Sequence, residues 1–286
     1  MGRRIALTLL FAFFLSCTRE NEAASDDFSS CKNSEIFLMP HHLLVEDVIK
    51  EMYTVFPEAK HFIIISPDHF NQGVENISEA KEAEHGYMIH RNLIEENFGD
   101  VDVEGIMIKT SANTDELKAL AEQLSTEEAV FIFSIDFSHY LPGQVAYVHD
   151  LLAVDIIEAR SIDEAKKIEA DSPASIEVLL RLAKLKSLNI EVLRNTNPSL
   201  DANVETFENT THLFACSSDV TARERQLKTS MFFVHPREWY LGKTREDRYL
   251  FGYDETYFDQ ELAKDTAVIT SYNGEKEFIE FDYFTP

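Results

Sequence analysis

The chain has 286 residues, 44% hydrophobic and 11% aromatic, with a formal net charge of −25 at pH 7. This length and apolar content suit one large α/β domain or two small ones with a true core, and exclude a disordered chain. The acidity leaves no positive footprint for nucleic acid or for anionic lipid headgroups, and its plain consequence is solubility.

Residues 1–16 read as a separate unit. Arg3 and Arg4 make a short basic start, and residues 5–15 form an apolar run too short to span a bilayer. Ser16 and Cys17 follow it. A small residue and a cysteine after such a run resemble the lipobox of bacterial lipoproteins, with Phe14 standing where leucine is usual. The resemblance implies a lipoprotein-type signal peptide over residues 1–16 and lipidation of Cys17. The protein would then be exported and held to the bacterial membrane by its lipid, on the periplasmic or cell-surface side. An ordinary cleaved signal peptide and an uncleaved anchor are the alternatives. Residues 17–34 are polar and read as a flexible tether. Cys31 ends that tether and Cys216 sits in a later apolar segment. An exported protein can join two such cysteines. Nothing in the sequence brings them together, and two separate thiols, with Cys216 packed as a small hydrophobe, is the simpler reading.

From residue 35 strands and helices alternate. Residues 36–39 read as a first short strand, ending at Pro40-His41-His42, and residues 43–56 carry the apolar stripe of a helix closed by Pro57. Residues 62–65 are a second buried strand, ending at Ser66-Pro67-Asp68-His69. A helix over 84–98 has Gly99 just beyond it; a strand over 103–108 and a helix over 114–124 follow. Residues 130–133, Val-Phe-Ile-Phe, are apolar without alternation, as in a strand buried on both faces. That strand runs out onto Ser134, Asp136, Ser138 and His139. Residues 145–159 read as helix, and Ser172-Pro173 as the cap and first turn of another reaching about residue 186. Residues 190–193, 211–216 and 231–234 are strand candidates, with a polar loop over 195–209.

This rhythm predicts βαβ units in a three-layer α/β/α sandwich with a mainly parallel central sheet. The body spans residues 35–234. The tail, 235–286, lacks the rhythm and reads as an extension packed on that body, with an edge strand or hairpin over 276–284.

Three of the ten histidines, His41, His69 and His139, directly follow strand-like runs. In a parallel sheet those ends share one edge, where ligands of α/β folds bind. Imidazole suits iron, copper, zinc and nickel, and two imidazoles with one carboxylate make the facial site of non-haem iron. His42 reads as a neighbour whose ring faces away, and His90 as packed on its helix. A serine hydrolase is the weaker idea, because neither Ser66 nor Ser138 lies in a G-x-S-x-G elbow.

The stretches PHH at 40–42, SPDH at 66–69, EHGYMIH at 84–90 and DFSHY at 136–140 resemble, in order and spacing, motifs of the Memo family, also called AmmeMemoRadiSam system protein B. Its usual forms are PHAGY, GPSHH, EHSxExH and DxxHxG. The resemblance covers about residues 35–234. It implies a fold related to class III extradiol dioxygenases, which hold Fe(II) with two His and one Glu. Carried over, His41 and His69 match the pocket histidines, Glu84 and His85 the third motif, and Asp136 and His139 the fourth. Family members carry a cysteine in a CGRxPI motif; here Asp171 stands in its place, which argues against thiol chemistry. PHAGY has become PHHLL and GPSHH has become SPDHF, so the pocket is reshaped.

The expectation is therefore a divalent metal held by His41, His69 and Asp171, iron(II) by donor type, with copper or zinc as alternatives. Asp136 and His139 would be the catalytic acid/base pair, with Glu84 and His85 in the pocket. The protein would be a dioxygenase-like or redox enzyme for a small molecule, or else a non-catalytic lipid-anchored metal-binding or scaffold protein of the same fold. The other duties open to Asp171 and Asp136 are to neutralise a helix N-terminus and to cap a strand end.

Overall fold

In the computed structural model, residues 28–141, 143–202 and 209–218 are described, together with the backbone of three short strands between 230 and 280. The expected signal peptide, Cys17, the tether up to residue 27 and most of the tail 235–286 lie outside the described residues.

Seven strands form one sheet. They are β1 (Ile36–Met39), β2 (His61–Pro67), β3 (Ile77–Glu79), β4 (Asp102–Ile108), β5 (Val130–Ser134), β6 (Asn189–Thr196) and β7 (His212–Ser218), in the spatial order β3-β4-β2-β5-β1-β7-β6. The four inner strands β4, β2, β5 and β1 are parallel. β3 joins one margin antiparallel, and β7 and β6 close the other. Helices α1 (Glu46–Tyr53) and α2 (His85–Phe98) cover one face; α3 (Thr114–Leu124), α4 (Gly143–Ala159) and α5 (Pro173–Leu185) cover the other. This is the three-layer sandwich that the sequence predicts.

Burial on both faces explains the apolar runs. Ile36 and Leu38 of β1 pack into one core, while Phe37 and Met39 pack into the other. Every residue of β5 is buried. A strand in that position needs apolar side chains on both faces, as residues 130–133 have, not at every second place.

Segments 190–193 and 211–216 are strands, as expected, and run antiparallel at the sheet margin beside the parallel core. The candidate at 231–234 appears as β8 (Ser230–Phe232), which pairs with β9 (Thr266–Tyr272). β9 also pairs with β10 (Glu275–Glu280), giving a separate three-stranded antiparallel sheet from the tail region.

The cysteines also need correction. Phe28–Cys31 forms a single 3-10 turn with Phe28 and Cys31 buried, and Cys31 is joined to Cys216 by a disulfide, their Cα atoms 5.7 Å apart. The reading of two separate thiols is thus overturned. The reason is register: β7 lies beside β1 with Cys216 opposite Phe37, so chain entering β1 passes over that cysteine. Ser34 Oγ–H donates to the Ser217 carbonyl, and Ser217 Oγ accepts the Ile36 N–H at 3.1 Å, so the end of the expected tether is fastened to β7.

Candidate metal centre

β5 lies between β1 and β2, so the carboxyl ends of three adjacent strands deliver His41, His69 and Asp136 to one edge of the sheet. A fourth group arrives from the other side of the loop. Phe137 bridges to both Ala170 and Thr211, and the Asp171 N–H donates to the Asp136 carbonyl at 3.1 Å. This short extended pairing holds Asp171 against the end of β5, 35 residues earlier in the chain.

His41 is buried, and its backbone N–H donates to Asp136 Oδ1 at 3.0 Å. Its Nδ1 lies 3.0 Å from Ser134 Oγ. The Ser134 hydroxyl proton is already committed to the Gly86 carbonyl at 2.8 Å, so Ser134 Oγ accepts from His41 Nδ1–H. His41 Nε2 then faces Asp171 Oδ2 at 3.2 Å and Asp136 Oδ2 at 3.5 Å.

His69 repeats the arrangement with a carboxylate behind it. Its Nδ1–H donates to Glu84 Oε1 at 2.6 Å and its backbone N–H to Glu84 Oε2 at 3.1 Å. Its Nε2 lies 3.4 Å from the same Asp171 Oδ2. In both rings a partner on Nδ1 fixes the tautomer and leaves Nε2 as the outward nitrogen, the usual preparation of a metal-binding histidine.

Asp171 does not cap its own helix. Ser172 takes that duty, accepting the Ser175 N–H, with Pro173 in the first turn as the sequence predicts. Asp171 Oδ2 accepts the Asp136 N–H at 3.2 Å and meets the two imidazoles, while Oδ1 is buried without a hydrogen-bond partner among the described residues. A buried acceptor of this kind is costly unless a cation or water meets it. The donor separations of 3.2 and 3.4 Å are those along the edges of a four-coordinate site. With bonds of about 2.0–2.1 Å a tetrahedron has edges of about 3.3 Å. Those two separations suit a divalent cation. Among the described residues, the sets His41, His69, His85 and His41, Asp136, Asp171 each bring ligand atoms within 4.8 Å of one another and could hold a metal ion; the expected set His41, His69, Asp171 is not one of these groups.

The charges are tightly matched. Burial opposes protonation of His41 and His69, but carboxylates outweigh it: Asp136 and Asp171 raise His41, and Asp171 with Glu84 raises His69 to about 10. Burial alone would lift Asp171 and Glu84; hydrogen bonds from the two histidines hold Asp171, and from His69 hold Glu84, below the usual carboxylate range. Asp136 goes the other way, raised by burial and by the Asp171 charge against the pull of His41.

His139 flanks this group. Burial lowers its pKa, and its charge acts on both Asp136 and Asp171. His85, the first residue of α2, stacks on His69 with ring centroids 4.2 Å apart and meets His41 edge-on at 4.9 Å. Burial and the charges of His41 and His69 push His85 down to about 4. His42 turns aside toward His212, centroids 5.2 Å apart. His90 is buried between Tyr53 Oη and the Pro40 carbonyl, at 3.0 and 3.1 Å.

Sequence reasoning gave no role to Ser134 or Gly86. A Cβ on Gly86 would stand 3.3 Å from His41 Nδ1, Ser134 Oγ and Ser66 Cβ, so glycine lets the first turn of α2 close on the strand ends. A polar residue ending an apolar strand was the one available signal for Ser134. At the opposite edge, His61, Asp102 and Glu104 also cluster, but their carboxylates are exposed and His61 Nε2 makes no hydrogen bond among the described residues. Compared with known proteins, the chain matches no family model and no curated protein. Among the described residues no helix is long and apolar enough to cross a membrane.

Proposed function

We propose that the chain is a divergent, exported and lipid-anchored relative of the Memo family that holds a divalent metal through His41 Nε2, His69 Nε2 and Asp171, and works as a dioxygenase-like or redox enzyme on a small molecule. The observation that carries this reading is the convergence of two oriented imidazoles on one carboxylate whose second oxygen is buried and unpartnered. Two imidazoles and one carboxylate favour iron(II), with copper or zinc as the competing ions. Such an ion, when bound, would polarise a ligand oxygen or exchange an electron.

The chain's own groups supply the rest. Ser134 and Glu84 keep Nδ1 of the two histidines protonated, so Nε2 faces the ion. Asp136 and His139, one carboxyl raised and one imidazole lowered by burial, hold and release a proton beside it. Exposed Leu43, Leu44, Phe70 and Tyr140 follow the same strand ends and offer an apolar mouth to a small substrate. The disulfide is at home in an oxidising compartment, which supports export.

Metal analysis of purified wild type, His69→Ala and Asp171→Ala tests the centre. The wild type is expected to carry about one equivalent and both variants far less; equal content in all three ends the proposal. Mass spectrometry of the mature N-terminus tests the anchor, and an intact, unmodified Cys17 would rule it out. Metal retained without turnover of any oxidisable substrate would favour the non-catalytic metal-binding reading.

A further inference from the structure

We propose that His85 is a fourth protein ligand of the centre, so that the ion is held by three imidazoles and one carboxylate; this rests on the metal reading above. The ligand atoms of His41, His69 and His85 lie within 4.8 Å of one another. Their rings stand 4.2, 4.9 and 5.0 Å apart, pair by pair, around one volume.

Among the described residues the His85 ring makes no hydrogen bond. Its Nδ1 is 3.6 Å from Glu84 Oε1, beyond a hydrogen bond, and that oxygen already accepts from His69 Nδ1 at 2.6 Å and the Gly86 N–H at 3.2 Å. The side chain is 46% exposed, so it can turn toward an ion at little packing cost. Its backbone is fixed as the first residue of a helix capped by Glu84, which also orients His69. One carboxylate therefore sets the positions of two imidazoles. Four protein donors close a tetrahedral ion and leave two positions on an octahedral one. The third imidazole also biases the site toward copper, zinc, nickel or iron and away from magnesium or calcium.

Copper(II), titrated into the full-length protein, is the probe. Pulsed electron paramagnetic resonance counts the coordinated imidazoles, and competition with a chromophoric chelator gives the affinity. Wild type is expected to show three imidazoles; His85→Gln should show two and bind at least tenfold more weakly. His42→Gln, whose ring faces His212, should match wild type. Two imidazoles in both wild type and His85→Gln, with equal affinity, overturn the assignment and leave the centre standing. A wild type that binds no stoichiometric copper overturns both.

Discussion

A single side chain, Glu84, governs much of the centre. It is 1% exposed and accepts from the ring and the backbone of His69 and from the Gly86 N–H. Replacing it with glutamine keeps the shape but removes the charge and turns an amide N–H toward one of these donors. Partners of this kind typically set metal affinity by 10–100-fold. Glu84→Gln should therefore bind metal about 10–100-fold more weakly while remaining folded, as read by chelator competition; unchanged affinity would mean that the contact does not tune His69. At this scale the sequence was informative where chemistry-bearing residues end apolar runs, as His41, His69 and Asp136 do. It was silent on Ser134 and Gly86, whose roles exist only once β1, β5 and α2 are side by side.

Among the elements, α4 ties the loop after β5 to the antiparallel margin. Asp150, buried in α4, accepts from Ser138 Oγ and Thr211 Oγ1 at 2.8 Å and from Asn195 Nδ2 at 3.2 Å. Ser138 and Tyr140 have φ of 38° and 56°, a backbone that side-chain-bearing residues rarely adopt, so this anchor holds a strained loop. Burial pushes Asp150 up to about 7 despite its three donors, and the buried Glu169 nearby is also raised, by burial and by the Asp150 charge. The unfolded chain loses that proton near pH 4 and the folded chain near pH 7. The folded state thus binds more protons in this window, and stability falls as pH rises through it. For Asp150 the fall is up to about 4 kcal/mol. Asp150→Asn should flatten it, measured by urea unfolding of metal-free protein from pH 4.5 to 7; an identical slope in both proteins would count against this role. The alternation of elements made the parallel core legible. The direction of β6 and β7 was not, because a polar loop does not encode where the chain re-enters a sheet. β3, three residues with a single large apolar side chain, carries no strand signal at all.

For the molecule as a whole, the Cys31–Cys216 bond closes a loop of 185 residues that contains every proposed ligand. Closing a loop of that size in the unfolded state is typically worth about 2–5 kcal/mol. Thermal unfolding with and without reductant, and of the double variant Cys31→Ser/Cys216→Ser, should show a lower midpoint whenever the bond is absent; coincident midpoints would remove it from the stability of the fold. The pairing was illegible because one partner lies in a polar stretch with no pattern of its own, and only the neighbouring strands give that stretch a place to dock.

The order of the strands has one more consequence. β5 slots between β1 and β2, both made before it, and Asp171 follows later still. A half-synthesised chain can therefore hold His41 and His69 and yet have nothing that gathers them. Capture of the proposed ion would begin only when the interloping strand is seated and the segment behind it folds back, so occupancy would report a finished topology rather than a run of histidines.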